Sequence, residues 1–314
     1  CLTSWRIRCG LSKSLRVNEF ELIDEIVRTL GSVTQGDAVL IGPGDDAAAL
    51  KIPPDQLLVS SIDTLVEGVH FPTGAPGHLV GYRSLMVSLS DLAAMGAQPA
   101  FVLVALTLAK GDVEWVTALA RGMREAAITA GVQVIGGNLS KGATAISVSV
   151  HGFGPENGLL RRSGAQAGDI VYVTGELGAA AAALARADLI HIGAELEPLV
   201  ARYYLPQARL EAGMQLRDYA SSAIDVSDGL LQDLGHLSGK SGVAIEIESA
   251  ALPIAPGARL EEALRGGDDY ELCFTSATGI PELPIPITRI GVVVAGEGVW
   301  LDGSQVTHAG FQHF

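Results

Sequence analysis

Six aspartates stand where apolar runs end or where a helix carries little other charge. Asp45 and Asp46 follow the run Ala38–Ile41 across Gly42-Pro43-Gly44, and Asp63 closes the run Leu57–Ile62. Asp225 and Asp228 bracket the end of Ala223–Val226, within Ile-Asp-Val-Ser-Asp-Gly. Asp91 falls within His78–Ala94, nearly opposite the apolar stripe Tyr82, Leu85, Met86, Leu89, Leu92 and Ala93, on the face of Ser84 and Ser88. Taken singly, such residues are ordinary turn formers or members of a solvated helix face. Gathered together, carboxylates repel and cost stability unless cations neutralise them. An all-oxygen donor set without a partnering His or Cys group selects Mg²⁺ rather than Zn²⁺, and Mg²⁺ characteristically bridges carboxylates to phosphates. A nucleotide is the natural substrate for such a cluster.

Three glycine-rich segments compete as phosphate loops. Gly235–Ser241 imitates a Walker A loop but is one residue short between its glycines and lies in or just after a helical pattern, so it is rejected. Gly42–Ala47 fits a relaxed GxGxxA, yet two carboxylates would face an anionic pyrophosphate, and Pro53-Pro54 leaves no room for the long helix of a dinucleotide fold. Gly136-Gly137-Asn138 reads as a glycine turn after Val132–Ile135.

The elements that must position these groups alternate. Strands are expected at 38–41, 57–62, 101–108, 132–135 and 146–150, and helices at 78–94 and 113–130. Asn18 caps a first helix whose apolar face is Leu22, Ile23, Ile26, Val27 and Leu30, ending at Gly31. After a polar, Gly-rich junction at 155–168, strands are expected at 170–173, 223–226, 243–247, 270–275 and 290–294. Helices are expected at 177–187, 199–219 (broken at Pro206) and 230–238. The reading is α/β (α+β) in two domains, 17–154 and 155–314. Residues 1–16, basic and free of acids, are set aside as a disordered or extraneous leader.

Composition narrows the function. The 314 residues carry a formal net charge of −14, which leaves no basic face for nucleic acid. A hydrophobic content of 48% supplies a large core. Leu92–Ala109, uncharged and largely apolar, is interrupted by Gly96, Gln98 and Pro99, so no membrane-spanning helix is expected. Cys1, Cys9 and Cys273 form no CxxC pair, which suits a reducing, cytoplasmic setting.

Together the motifs resemble the thiamine-monophosphate kinase family of the aminoimidazole-ribonucleotide-synthetase-like superfamily, from about Asn18 to Phe314. The residues that carry the likeness are Gly-Pro-Gly-Asp-Asp-Ala-Ala (42–48), Ser-Ile-Asp-Thr-Leu-Val-Glu-Gly-Val-His-Phe (61–71), Ser-Leu-Ser-Asp-Leu-Ala-Ala-Met-Gly-Ala-Gln-Pro (88–99), Arg-Arg-Ser-Gly-Ala (161–165), Ala-Ile-Asp-Val-Ser-Asp-Gly-Leu (223–230) and Gly-Gly-Asp-Asp-Tyr-Glu-Leu-Cys-Phe (266–274). The resemblance implies ATP-dependent phosphorylation of thiamine monophosphate to thiamine diphosphate by a homodimer. In that dimer the N-terminal domains contribute strands to a shared β-barrel, and the C-terminal domain is α/β. It also implies several Mg²⁺ ions at Asp46, Ser61, Ile62, Asp63, Asp91, Asn138, Asp225 and Asp228. Gly137, Asn138, Arg162 and Ser227 correspond to nucleotide-binding positions, and His70, Asp268 and Phe311 to positions that hold the thiamine phosphate. Four residues depart from the family pattern: Asn138 for Asp, Ile62 for Thr, Asp268 for Glu, and Phe311 for Tyr or Trp. No general base or covalent nucleophile is expected, because the attacking phosphate oxygen is already largely ionised at neutral pH. Another ATP-using enzyme of the superfamily stands as one alternative, weakened because Cys9 lies outside the matching region and the chain ends Gln-His-Phe. A catalytically silent thiamine-phosphate sensor stands as the alternative from another class.

Overall fold

The computed structural model describes residues 19–283 and 285–306; the leader 1–16, the Asn18 cap and Phe311 lie outside them. Helix α1 (Glu19–Leu30) gives way at Gly31 to a 3₁₀ turn, and a ribbon of β1 (Val39–Ile41) and β2 (Ala49–Leu50) frames the Gly-Pro-Gly-Asp-Asp loop. There follow β3 (Gln56–Val66), α2 (Gly77–Ala94), β4 (Gln98–Leu108), α3 (Val113–Ala130), β5 (Gln133–Lys141) and β6 (Ala145–Pro155). Asp112 caps α3 by accepting the N–H groups of Glu114 and Trp115, both at 3.1 Å.

Four of these strands form one sheet in the order β3-β6-β4-β5, with β4 and β5 parallel and the other pairs antiparallel. Side chains alternate across it. Leu65, Leu106, Ile146, Val148 and Val150 enter the core beneath α2 and α3, whereas Leu58, Ser60, Ile62, Thr64, Leu103 and Ala105 point to an open face. Hydroxyl pairs lace that open face, including Thr64–Ser147 at 2.8 Å and Thr107–Ser140 at 2.9 Å, and Ser60 meets His151 at 2.9 Å.

The second half supplies β7 (Ile170–Thr174), α4 (Ala179–Arg186), α5 (Pro198–Tyr204), α6 (Leu210–Leu216), β8 (Ser222–Asp225), α7 (Leu230–Ser241), β9 (Ala244–Ile247), α8 (Leu260–Arg265), β10 (Leu272–Ser276), β11 (Ile287–Val294), β12 (Gly298–Leu301) and β13 (Ser304–Val306). Their seven-stranded sheet runs β13-β12-β9-β11-β7-β10-β8 and is antiparallel except for β12 against β9. The fold is thus a two-domain mixed α/β architecture, each sheet with its own core. Val200, Tyr203 and Tyr204 of α5 nevertheless pack into the core of the first sheet.

Three local expectations are corrected. Asp63 does not end a strand, because β3 stays paired with β6 through Val66 and places Asp63 in its interior. Gly136–Asn138 is not a turn but part of β5, where a Cβ on Gly137 would lie 2.0 Å from the Val104 carbonyl oxygen of β4. Helix α2 has no solvated face around Asp91, since Ser84, Ser88 and Ser90 are all 0% exposed. Tertiary packing rather than local propensity decides all three: α2 is covered by the first sheet, α3, α6 and β8. Gly235–Ser241 lies inside α7, as its rejection as a phosphate loop requires.

The α2–α3 crossing depends on glycine. A Cβ on Gly122 would sit 1.8 Å from the His78 carbonyl oxygen, and one on Gly81 2.1 Å from that of Leu119. Gly122→Ala should therefore destabilise the protein by about 1–3 kcal/mol or more, as overpacking does. Gly239→Ala, in α7 with nothing within 4 Å of the added methyl, should stabilise it by about 0.5–1 kcal/mol. Chemical denaturation of the two variants checks both signs.

Candidate active site

Strand β3, helix α2 and strand β8 converge on one group of acids. Ser61 and Asp63, two apart on β3, project from its covered face toward α2. The Ser61 hydroxyl donates to Asp91 Oδ2, and the Ser90 hydroxyl donates to Asp225 Oδ2 at 2.7 Å. Burial, then the charge of Asp91, pushes Asp63 up to about 6, against a hydrogen bond from Ser88. Asp225 is pushed up to about 7 by burial, then by Asp91 and Asp63, with Ser90 and Arg162 opposing. Ser61, Asp91, Arg162 and Asp225 line a cavity of about 260 Å³ where the first sheet and α2 face β8.

A loop beyond β8 extends the site. Asp233, in the first turn of α7, accepts the backbone N–H groups of Ser227 and Asp228, both at 3.1 Å. Its own carboxyl is pushed up to about 8 by burial and by the charges of Asp225 and Asp228. Gln232 donates to Asp228 Oδ2 at 3.2 Å, and ligand atoms of Asp228, Asp233 and His236 lie within 4.8 Å of one another. The segment 266–271 is zipped to this loop. The Asp268 N–H donates to the Ser227 carbonyl at 2.8 Å, and the Tyr270 N–H to the Val226 carbonyl at 2.9 Å.

From there the site continues through a buried cation. Arg83 of α2 pairs with Asp268 through Nη2 at 2.7 Å and donates from Nη1 to the Tyr203 carbonyl at 2.7 Å, and Tyr203 donates its hydroxyl to the His70 carbonyl at 2.8 Å. His70 accepts the Val66 N–H on Nδ1 at 3.0 Å, so its neutral ring carries the proton on Nε2.

Asp63, Asp91, Ser61, Asp225 and Arg162 are thus brought together, and Ser227, Asp228, Asp268 and His70 are tied to them through the second loop and α2. Other residues expected in the site share no hydrogen bond with these acids among the described residues. Asp46 is exposed on the loop between β1 and β2, where its N–H donates to Asp45 Oδ1 at 2.9 Å. Ile62 is 65% exposed on the open face, opposite to Asp63, so its side chain is turned away from the acids. Gly137 and Asn138 lie on β5, the far edge of the same sheet. Asn138 belongs to the cross-strand row Thr64, Ser147, Ala105, Asn138 and shares the open face with them. Sequence reasoning missed Ser90, Asp233 and Arg83. A signal existed for Arg83: it and Asp91 are the only Lys, Arg, Asp or Glu residues of α2.

The acids fit a hard cation. Their donors are oxygens, and burial and mutual repulsion oppose the charge of Asp63 and Asp225 until a cation compensates it.

Comparison with known proteins agrees with this architecture. Residues 44–154 match the family model for AIR synthase related protein, N-terminal domain. The thiamine-monophosphate kinase of Salmonella typhimurium is 41% identical over 87% of this chain and 91% of its own length. The crystal structure of thiamine-monophosphate kinase from Stenotrophomonas maltophilia K279a superposes with a TM-score of 0.85 at 39% identity, covering 92% of this chain and 98% of that one. AaThiL complexed with AMPPCP and TMP superposes with a TM-score of 0.78 at 35% identity, covering 96% and 100%.

The raised acids give the metal-free protein a distinctive pH response. Between the ordinary aspartate range and about 7, folded Asp63 and Asp225 hold protons that the unfolded chain has released, so their contribution to stability falls as pH rises. Thermal melts in chelator should show the wild type losing stability from pH 5 to 8 relative to Asp225→Asn, and added Mg²⁺ should restore more at pH 8 than at pH 5.

Proposed function

The chain belongs to the thiamine-monophosphate kinase family, and from that premise we propose that it transfers the γ-phosphoryl group of ATP directly, in line, to the phosphate of thiamine monophosphate. The observation that carries the reading is the cluster of carboxylates Asp63, Asp91 and Asp225, the last of them buried, delivered by three separate elements beside Arg162. Such transfer is dominated by positioning and charge neutralisation. A phosphate monoester is largely ionised at neutral pH and attacks without a general base. His70, with Nδ1 engaged by the backbone, serves as a hydrogen-bond donor to substrate rather than as a proton acceptor. Asp268 and Phe311 complete the thiamine end. Arg162, Ser227, Gly137 and Asn138 hold the nucleotide.

Asp46, Ser61, Asp63, Asp91, Asn138, Asp225 and Asp228 would hold Mg²⁺, with Ile62 able to offer only its backbone. When bound, Mg²⁺ supplies neutralisation of phosphate charge, which a chain of net charge −14 needs in order to accept two anions.

A homodimer is part of the same proposal. Asn138 and Asp63 occupy opposite edges of a four-stranded sheet, three strand spacings or about 14 Å apart, and opposite faces as well. A second copy packed on the open face, where Leu58 is 55% exposed, would close a barrel and cover that surface. A division near 154/155 is supported by the two sheets, the first ending at Pro155 and the second beginning at Ile170, and a cytoplasmic setting is proposed with it. Among the described residues no helix is long and apolar enough to cross a membrane.

Asp63→Asn and Asp91→Asn should each abolish ADP release that depends on thiamine monophosphate while leaving circular dichroism unchanged; near-normal turnover in both would refute the metal-cluster assignment. A phosphoprotein burst with ATP alone would refute direct transfer. In sedimentation, the wild type should run at twice 32.5 kDa, and Leu58→Asp with Leu103→Asp should shift it to the monomer with loss of activity.

A further inference from the structure

We propose that Arg83 is a positioning residue for the thiamine end of the site, setting the Asp268 carboxylate and the His70 turn in one register from a single buried guanidinium. The proposal rests on the reading that His70 and Asp268 contact thiamine monophosphate. Arg83 is 2% exposed, yet it is charged, in a helix whose one other Lys, Arg, Asp or Glu residue is Asp91. Its Nη2 pairs with Asp268 Oδ1 at 2.7 Å, and the Tyr270 hydroxyl donates to that same oxygen at 2.8 Å. Both contacts fall on Oδ1, which leaves Oδ2 without a hydrogen-bond partner among the described residues and available to a cationic ligand such as a thiazolium ring.

The other arm of the guanidinium reaches the His70 turn. Nη1 donates to the Tyr203 carbonyl, the Tyr203 ring lies 4.2 Å from the guanidinium carbon, and the Tyr203 hydroxyl holds the His70 carbonyl. The two residues assigned to one ligand come from loops 198 positions apart in the chain, and this bridge joins them. Asp268 also takes a left-handed backbone, φ 61°, a conformation that persists where the surroundings over-determine it. Stability alone is a poor reason for the arrangement. Among the described residues Arg83 Nε is buried without a hydrogen-bond partner, and an apolar side chain of similar volume generally serves a core as well as or better than a buried ion pair.

The test is steady-state kinetics of four full-length variants, with KM measured separately for ATP and for thiamine monophosphate. Arg83→Met should raise KM for thiamine monophosphate by about tenfold and leave KM for ATP within about twofold. Arg83→Lys should recover part of the loss, since an ammonium reaches Asp268 but cannot span both partners. Tyr203→Phe removes only the bond to the His70 carbonyl, keeps the ring, and should raise the same KM by about threefold; it decides the matter if Arg83→Met does not fold. Asp268→Asn tests the underlying reading, which fails if KM for thiamine monophosphate is unchanged. If Asp268→Asn raises that KM while Tyr203→Phe and the Arg83 variants do not, or if the Arg83 variants raise both KM values equally, the positioning role is overturned.

Discussion

Repulsion among crowded carboxylates is the constraint around which this molecule is arranged. Asp63, Asp91 and Asp225 approach one another where burial already opposes ionisation, and Asp63 and Asp225 respond by holding their protons toward neutral pH. Hydroxyls of Ser61, Ser88 and Ser90 and the charge of Arg162 offset part of that cost. The remainder leaves an acidic centre poised for hard cations, in a chain whose net charge would otherwise repel both anionic substrates.

Holding such a centre together requires rigid neighbours. Helix α2 provides them, because glycines at its crossings let α3 and α6 approach to backbone contact: a Cβ on Gly81, Gly122 or Gly213 would meet a carbonyl oxygen at about 2 Å. The site is therefore bolted to the first sheet, and the second sheet brings Asp225 and the 225–229 loop to it from one edge strand.

Much of this was legible in the residues. The spacing of Val113, Val116, Leu119 and Met123 marks α3 with its bounds, Pro206 divides α5 from α6, and Asp225 closes β8 as its apolar run suggests. What local pattern could not supply was partnership. Asp63 looked like a strand end because a carboxylate in a strand is unusual, and only pairing with β6 shows the strand continuing past it. Ser84 and Ser88 looked solvated because hydroxyls usually are, and only the elements packed on α2 remove that solvent. The short α8, β12 and β13 escaped for want of a long periodic signal. Asp233 escaped too, since its role lies in two backbone amides that have no signature in its own surroundings.

Arg83 and Asp91 occupy the same helix eight residues apart, about 12 Å along its axis. One belongs to the network that holds Asp268 and the His70 turn, the other to the acids gathered with Asp63 and Asp225. The helix thus works as a caliper with fixed jaws, its pitch setting the distance between the two networks. Under the proposed assignment of those networks to the two ends of thiamine monophosphate, discrimination by molecular length would be inherent in the scaffold: an analogue with a shorter or longer arm between its heterocycle and its phosphate would bind poorly even when each end, taken separately, fits.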